Sequence, residues 1–398
     1  MDFIPYSCQD IDDSDIAAVT AVLRSAYLTQ GPEGPAFEAA FADRHQVAHA
    51  VAVSNATAGL HLACLALGVG PGSRVWTSPN SFLASANAPL YCGATVDFVD
   101  IERDTRNLSV AALALKLERS RAAGTLPQLV IPVDFAGLPC DWRELRALAD
   151  RYGFKLLQDA SHATGASYRG APVGSAWADA SVFSFHAVKI VTTAEGGMIT
   201  TPDAALAADL RLLRSHGMTR EPAALQAVPE GPWVYEQQAL GFNCRMTELQ
   251  GALGRSQLKR LDTMHERRQA LAARYNRLLA GAPLRLPARR ADRVSAWHLY
   301  AVEIERGPGL PSRAQVFDAL RKAGIGVNVH YSPIPLQPFW RARGFAPGDF
   351  PQAEAYHAGA LSLPLHPALT DAQQQFVVDT LLQALQRTPV GTPELETS

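Results

Sequence analysis

Lys189 stands in the segment SFHAVKIVTTAEGG, after a strand-like run and before a glycine pair, among apolar, small and hydroxyl-bearing neighbours. A lysine poorly hydrated by such surroundings has a lowered pKa, and its free amine serves as a nucleophile or Schiff-base former. A solvated surface charge is the ordinary alternative. Asp159 closes the apolar run FKLLQDA. A carboxylate there pairs with a protonated ring nitrogen, the partner that pyridoxal phosphate needs to act as an electron sink, or it caps the turn SHATGA. His162, three residues on, approaches the same ligand or is a structural imidazole. Ala56, Thr57, Ala58 and Gly59 open a helix directly after a strand. Their small side chains admit a phosphate to free backbone N–H groups at the positive end of the helix, and Thr57 adds a hydroxyl. The same residues would also suit helix–sheet packing. The cluster is not a P-loop, because it lacks both a lysine and the GxxxxGK[ST] spacing. Phe82 in NSFLASANA stacks on a ring or fills the core, and Ser184 contacts a phosphate or is satisfied within the sheet. Asn243 and Arg245 in GFNCRMTELQ read equally as ligand contacts or as a helix cap. Together these residues give a phosphate site, a strand-end carboxylate and a lysine about thirty residues later, the set and order that a pyridoxal phosphate enzyme requires.

Such residues need a scaffold that brings strand ends together. Short apolar runs alternate with helical patterns over the first 250 residues: AVAVS, RVWTS, TVDFVD, QLVIPVD and FKLLQDA, separated by amphipathic stretches such as AALALKLERS and DWRELRALADRYG. That alternation predicts right-handed βαβ units on a mainly parallel sheet, with ligands at the carboxyl ends of the strands. SVFSF and GGMITT add two strand-like runs around the Lys189 loop. One long helical region is expected from about Met246 to Leu279. WHLYAVEI, a helix near RAQVFDALRKAG, and GVNVHY then suggest a smaller α/β unit. The expected division is 1–250 for a large cofactor-binding domain, 251–386 for a small C-terminal α/β domain, and 387–398 for a flexible tail. The fold class is α/β.

At ~100–200 residues per domain, a chain of 398 residues has room for two or three. With 47% hydrophobic and 19% charged residues it buries a large core and is not a disordered chain. A formal charge of −2 gives no electrostatic reason to expect a nucleic acid partner. No apolar stretch approaches the ~18–20 residues of a membrane span, and MDFIPYSCQDIDDSD lacks the pattern of a signal peptide. The five cysteines, Cys8, Cys64, Cys92, Cys140 and Cys244, are scattered and never form a CxxC pair. They read as free thiols of a cytoplasmic protein, with neither a disulfide framework nor a metal site.

LTQGPEGPAFE, AVSNATAGLHLACLALGVGPG, SPNSFLASANA, QDASHATGA, FSFHAVKIVTTAEGGMITT, LRSHGM, LGFNCRMTELQGALGRSQLKRLD and SLPLHPALT resemble the DegT/DnrJ/EryC1/StrS sugar aminotransferases, in one register from about residue 4 to 385. PWVYEQQALGFNCRMTELQGALG and LRSHGM look most like the pseudaminic-acid-pathway branch. The resemblance implies a pyridoxal-phosphate-dependent transferase of fold type I: a large domain with a mostly parallel seven-stranded sheet, a small C-terminal α/β domain, and a homodimer with shared active sites. It implies pyridoxal 5′-phosphate on Lys189, Asp159 at the pyridine nitrogen, His162 near the ring hydroxyl and Phe82 on the ring. Ala56, Thr57 and Ser184 would hold the phosphate, with Asn243 reaching it from the other subunit. Tyr6, His330 and Tyr331 match substrate-binding positions. The reaction implied moves an amino group from L-glutamate, released as 2-oxoglutarate, to C4 of a UDP-4-keto-6-deoxy sugar. Alternatives are a sibling nucleotide-sugar 3- or 4-aminotransferase and a non-catalytic cofactor-binding regulator. A sugar dehydratase is disfavoured, since the relatives with that chemistry carry histidine in place of Lys189. Two departures from the pattern stand out: Ala56 replaces a common glycine, and Asp134 in PVDFAG replaces a histidine, with an expected effect on the substrate pocket.

Overall fold

A computed structural model describes residues 3–386 apart from positions 176 and 228; the expected tail, 387–398, lies outside the described residues. The large sheet contains β1 (His49–Val53), β2 (Arg74–Thr77), β3 (Thr95–Phe98), β4 (Leu129–Ile131), β5 (Lys155–Asp159), β6 (Ala180–Ser184) and β7 (Gly197–Thr201). Their order across the sheet is β1-β7-β6-β5-β4-β2-β3. All pairs from β6 to β3 are parallel, and β7 alone runs antiparallel to its neighbours β1 and β6. The alternating runs predict a mainly parallel sheet, and the family resemblance implies its seven strands.

Adjacent residues of each central strand feed opposite faces, as the period of two requires. Val75, Ile131 and Leu157 join Leu60, Leu62 and Leu210 in one core, formed with α3 (Ala56–Ala66) and α7 (Ala204–Arg214). Trp76, Val130 and Leu156 join Leu113, Leu117, Trp142 and Leu145 in the other, formed with α5 (Val110–Ala122) and α6 (Trp142–Tyr152). Burial on both faces explains why these strands read as continuous apolar runs.

The small unit has an antiparallel sheet in the order β8 (Leu284–Arg285), β9 (Tyr300–Ile304), β10 (Ala360–Leu363). Its core takes in Val316 and Leu320 of α10 (Arg313–Lys322) and Val377, Val378 and Leu381 of the helix Asp371–Gln386. GVNVHY is not a strand. Asn328 makes only an isolated bridge to Ser362, after which the chain leaves the sheet edge and carries His330 and Tyr331 to the central cavity.

The helical region 246–279 is broken into α8 (Glu248–Leu258) and α9 (Leu261–Leu278). Arg260 at the break is held by Asp15 (2.7 Å), Asp12 (3.0 Å) and Asp10 (3.4 Å). Leu258 and Leu261 pack with the large-sheet core, whereas Leu271, Ala272 and Tyr275 pack with the small one.

The segment 4–10 spans both units. Ile4 is buried in the small core, its N–H donates to the Gly324 carbonyl (2.9 Å), and its own carbonyl accepts from Gly326 (2.7 Å). The Tyr6 carbonyl accepts from Leu365 N–H (3.0 Å), and Ser7 Oγ donates to the Val188 carbonyl (3.1 Å) beside Lys189. Among the described residues no helix is long and apolar enough to cross a membrane.

Candidate active site

A cavity of about 760 Å³ lies where the carboxyl ends of the large sheet meet the small unit. Lys189, Asp159, His162, Ser184, Ala56, Thr57, Phe82, Tyr6, His330 and Tyr331 all line it. Asn243 does not. It is exposed outside its own chain's cavity, on a segment bridged to Ser215.

One end of the cavity is set by the β1-to-α3 turn. Asn55 adopts an extended backbone as the N-cap of α3, and its Oδ1 accepts from Ala58 N–H at 2.8 Å. The first-turn N–H groups of Ala56 and Thr57 have no acceptor within the helix, so they and the helix dipole are available to an anion. Gly59 has a different duty from the one its sequence neighbours suggest. A Cβ there would stand 2.9 Å from Val182, so this glycine brings α3 down onto the sheet. Ser184, the last residue of β6, faces the same cavity, and its Oγ accepts from His186 N–H at 3.4 Å.

Asp159 ends β5 almost fully buried. Its Oδ2 accepts from Ser85 Oγ at 2.6 Å and its Oδ1 from Ser161 N–H at 3.1 Å. One carboxylate oxygen therefore caps the turn, and Asp159 at the same time lines the cavity.

Lys189 sits in a turn that its own N–H closes onto the His186 carbonyl at 2.9 Å. Enclosure lowers its pKa from 10.5 to about 8, against the opposing pull of Asp159. At pH 7.5 about a quarter of such amines are unprotonated, against ~0.1% of ordinary lysines.

His162 uses both ring nitrogens. Nδ1 accepts from Ala136 N–H (3.3 Å), which leaves the hydrogen of the neutral ring on Nε2, 3.2 Å from Tyr331 Oη. Burial, with Lys189 and His330 nearby, holds its pKa well below 6.5, so the ring is neutral. The approach depends on Gly137 at φ +96°, where a Cβ would lie 2.8 Å from the His162 carbonyl. His330 Nδ1 pairs with Ser362 Oγ at 2.8 Å, and the ring lies 5.7 Å from that of Tyr6. Burial brings the His330 pKa down to about 4. Phe82, 60% exposed, forms an open aromatic wall 6.5 Å from the Tyr331 ring.

Asp134 is not in the pocket. Its neighbour Val133 lines the cavity, and Asp134 points the other way, fully buried. Its Oδ1 accepts from Cys140 N–H (2.8 Å) and Trp142 Nε1–H (3.0 Å), and its Oδ2 from Gln158 Nε2–H (2.6 Å). The departure at 134 therefore acts on the packing behind the site.

Several lining residues escape sequence reasoning: Asn55, Ser161, Glu195 and His298, with Ser85 just behind Asp159. Asn55 had a readable signal, an asparagine directly before a helix. His298 had none, since its segment is held at the site by backbone hydrogen bonds to Ala136 and Gly137 of a distant loop.

Residues 9–382 match the model of the DegT/DnrJ/EryC1/StrS aminotransferase family. The spore coat polysaccharide biosynthesis protein SpsC of Bacillus subtilis is 38% identical over 382 residues, covering 95% of this chain and 96% of that one. Helicobacter pylori PseC, an aminotransferase involved in the biosynthesis of pseudaminic acid, superposes with a TM-score of 0.87 at 31% identity, covering 96% of this chain and 99% of that one. The PMP-form of the sugar aminotransferase Spr1654 from Streptococcus pneumoniae gives a TM-score of 0.86 at 32% identity, covering 96% and 98%.

Proposed function

This chain belongs to the DegT/DnrJ/EryC1/StrS aminotransferase family, and from there we propose that it uses pyridoxal 5′-phosphate to move an amino group from L-glutamate to C4 of a UDP-4-keto-6-deoxy-N-acetylhexosamine. The products are 2-oxoglutarate and UDP-4-amino-4,6-dideoxy-N-acetyl-β-L-altrosamine. The observation that carries the reaction is a half-buried lysine with a pKa near 8 facing a strand-end carboxylate beside a helix N-terminus.

The residues present fit the cofactor. Ala56, Thr57 and Ser184 suit the phosphate, Asp159 the ring nitrogen, His162 the ring hydroxyl, Phe82 the ring face and Lys189 the aldehyde carbon. Bound there, pyridoxal phosphate supplies the electron sink for the carbon that loses its proton. The chain's own work is positioning and proton transfer. Ser85 and Ser161 hold Asp159 so that its carboxylate keeps the ring nitrogen protonated. Lys189 Nζ takes the proton from the donor's Cα and, in the second half, delivers one to C4 of the sugar. One lysine on one face fixes the configuration of the new amine. Tyr6, His330 and Tyr331 form the small-unit wall against which the sugar nucleotide lies.

Asn243 supports a homodimer with shared sites: it is exposed and away from its own cavity, as a residue meant for a second copy's phosphate would be. Exposed Trp233, Tyr235 and Leu240 on the preceding segment fit burial in such a contact.

The likeness to PseC supports the pseudaminic branch. The higher identity to SpsC favours a second reading, an aminotransferase for another nucleotide sugar. A coupled assay with the UDP-4-keto-6-deoxy sugar and L-glutamate, followed by mass spectrometry and NMR, separates them. A 4-amino sugar of altro configuration is expected. Formation of 2-oxoglutarate only with a different keto-sugar would favour the second reading. Lys189→Ala should abolish turnover, and near-normal rates in that variant would refute the assignment of Lys189.

A further inference from the structure

Ser81 Oγ lies 2.7 Å from Ser85 Oγ, and Ser85 Oγ lies 2.6 Å from Asp159 Oδ2. Hydrogen counting fixes the direction of this chain. An ionised carboxylate only accepts, so the single hydroxyl hydrogen of Ser85 goes to Asp159. Ser85 then has none left for Ser81, and the hydrogen between the two hydroxyls comes from Ser81. Ser81 therefore donates to Ser85, and Ser85 to Asp159. With its own hydrogen spent, Ser81 presents only lone pairs to the cavity that it lines. Ser85, the middle link, is fully buried within its own chain, so no residue of a second subunit reaches it.

The fold holds both hydroxyls in place. Ser81 follows Asn80, whose Nδ2 donates to the Arg106 carbonyl (3.2 Å) and whose Oδ1 accepts from Tyr331 N–H (3.3 Å). The Pro79 carbonyl accepts from Ile334 N–H (2.9 Å). Ser85 stands in the first turn of the helix Ala84–Tyr91. The second oxygen of Asp159 accepts from Ser161 N–H at 3.1 Å, so donors meet both oxygens, and each of them stabilises negative charge. A hydroxyl that itself accepts a hydrogen bond also donates more strongly, which gives Ser81 an effect on a carboxylate it does not touch. A carboxylate facing a ring nitrogen shares one proton with it. Donors on the carboxylate favour the anion and leave that proton on the nitrogen, where it makes the ring an electron sink.

We propose that Ser81 and Ser85 are positioning residues for the reaction: through a one-way hydroxyl chain they keep Asp159 an anion and so keep the proton on the nitrogen of the bound cofactor. This rests on the proposed placement of the ring nitrogen at Asp159.

The test uses holoenzyme reconstituted with pyridoxal phosphate isotopically labelled at the ring nitrogen, whose NMR shift reports its protonation in the resting protein without turnover. The wild-type nitrogen should be protonated. In Ser85→Ala its signal should move toward that of the unprotonated ring, and kcat should fall ~10–100-fold, the equivalent of one hydrogen bond to a charged group. The KM for L-glutamate should stay within about twofold. Ser81→Ala should move both signal and kcat in the same direction but by less, because Ser85 still donates to Asp159. Ser85→Thr, which keeps the hydroxyl, should restore most of both. An unmoved nitrogen signal in the two alanine variants, with or without a fall in kcat, would overturn the proposal. If Ser85→Ala holds no cofactor, Ser81→Ala decides alone, and a wild-type signal there overturns the proposal. Wild-type protein whose ring nitrogen is unprotonated would overturn the placement at Asp159 and this proposal together, whereas a protonated wild type with indifferent variants overturns this one alone.

Discussion

Replacing Lys189 with methionine separates the energetic state of the site from its chemistry. Enclosure takes this amine from 10.5 to about 8. Because the folded pKa is the lower one, the unfolded chain binds the extra proton between pH 8 and 10.5. Wild-type stability therefore falls as pH drops through that window, and the loss is complete below pH 8. The displacement corresponds to ~3 kcal/mol at most, and screening in a partly open cavity reduces it to ~1–3 kcal/mol. Methionine has similar length and no charge to desolvate. In the cofactor-free protein, Lys189→Met should be inactive yet more stable than wild type at pH 7, with a melting temperature higher by about 1–4 °C for a chain this long. The advantage should shrink toward pH 10.5. Denaturant or thermal melts of both proteins at pH 7, 8.5 and 10 make the comparison. A variant no more stable at pH 7, or an advantage that ignores pH, would refute the claim that the site holds its lysine against a solvation penalty.

Two further substitutions probe the frame around the site. Burial raises Asp134 to about 6, above its unfolded value, so its stabilising contribution is full at acid pH and lost as pH rises through 6. Asp134→Asn should therefore gain on wild type between pH 4 and 8, by up to ~3 kcal/mol, in melts at those two pH values. Asp134→Leu strands the donors of Cys140, Trp142 and Gln158 and should cost ~3 kcal/mol or more. Asn55→Ala removes the cap of α3, with an expected loss of ~1 kcal/mol, and should weaken pyridoxal phosphate binding in a direct titration.

What was legible in the sequence was whatever a local pattern encodes. The strands from His49 to Thr201 follow from apolar runs, and the order Thr57, Asp159, Lys189 follows from strand ends. What was not legible depended on residues meeting across the fold. The break at Lys259–Arg260 has no proline or glycine to announce it; its guanidinium is claimed by three aspartates some 245 residues away or more. GVNVHY has strand composition but lies where the sheet ends. Asp134 and Val133 are adjacent, and only the sheet's orientation tells which of them faces the cavity. His298 carries no motif at all, because its place is made by Gly137 and Ala136 of a distant loop.

The segment 4–10 has a consequence for recombining these enzymes. Ile4 is part of the small core and Tyr6 part of the cavity wall, although both precede the entire large sheet in the chain. A chimera that grafts a relative's C-terminal unit to acquire its sugar preference, with a single crossover near α8, would pair a foreign core with a native Ile4 and a foreign wall with a native Tyr6. The exchangeable module is discontinuous: it needs two crossovers, one after Asp10 and one along α9.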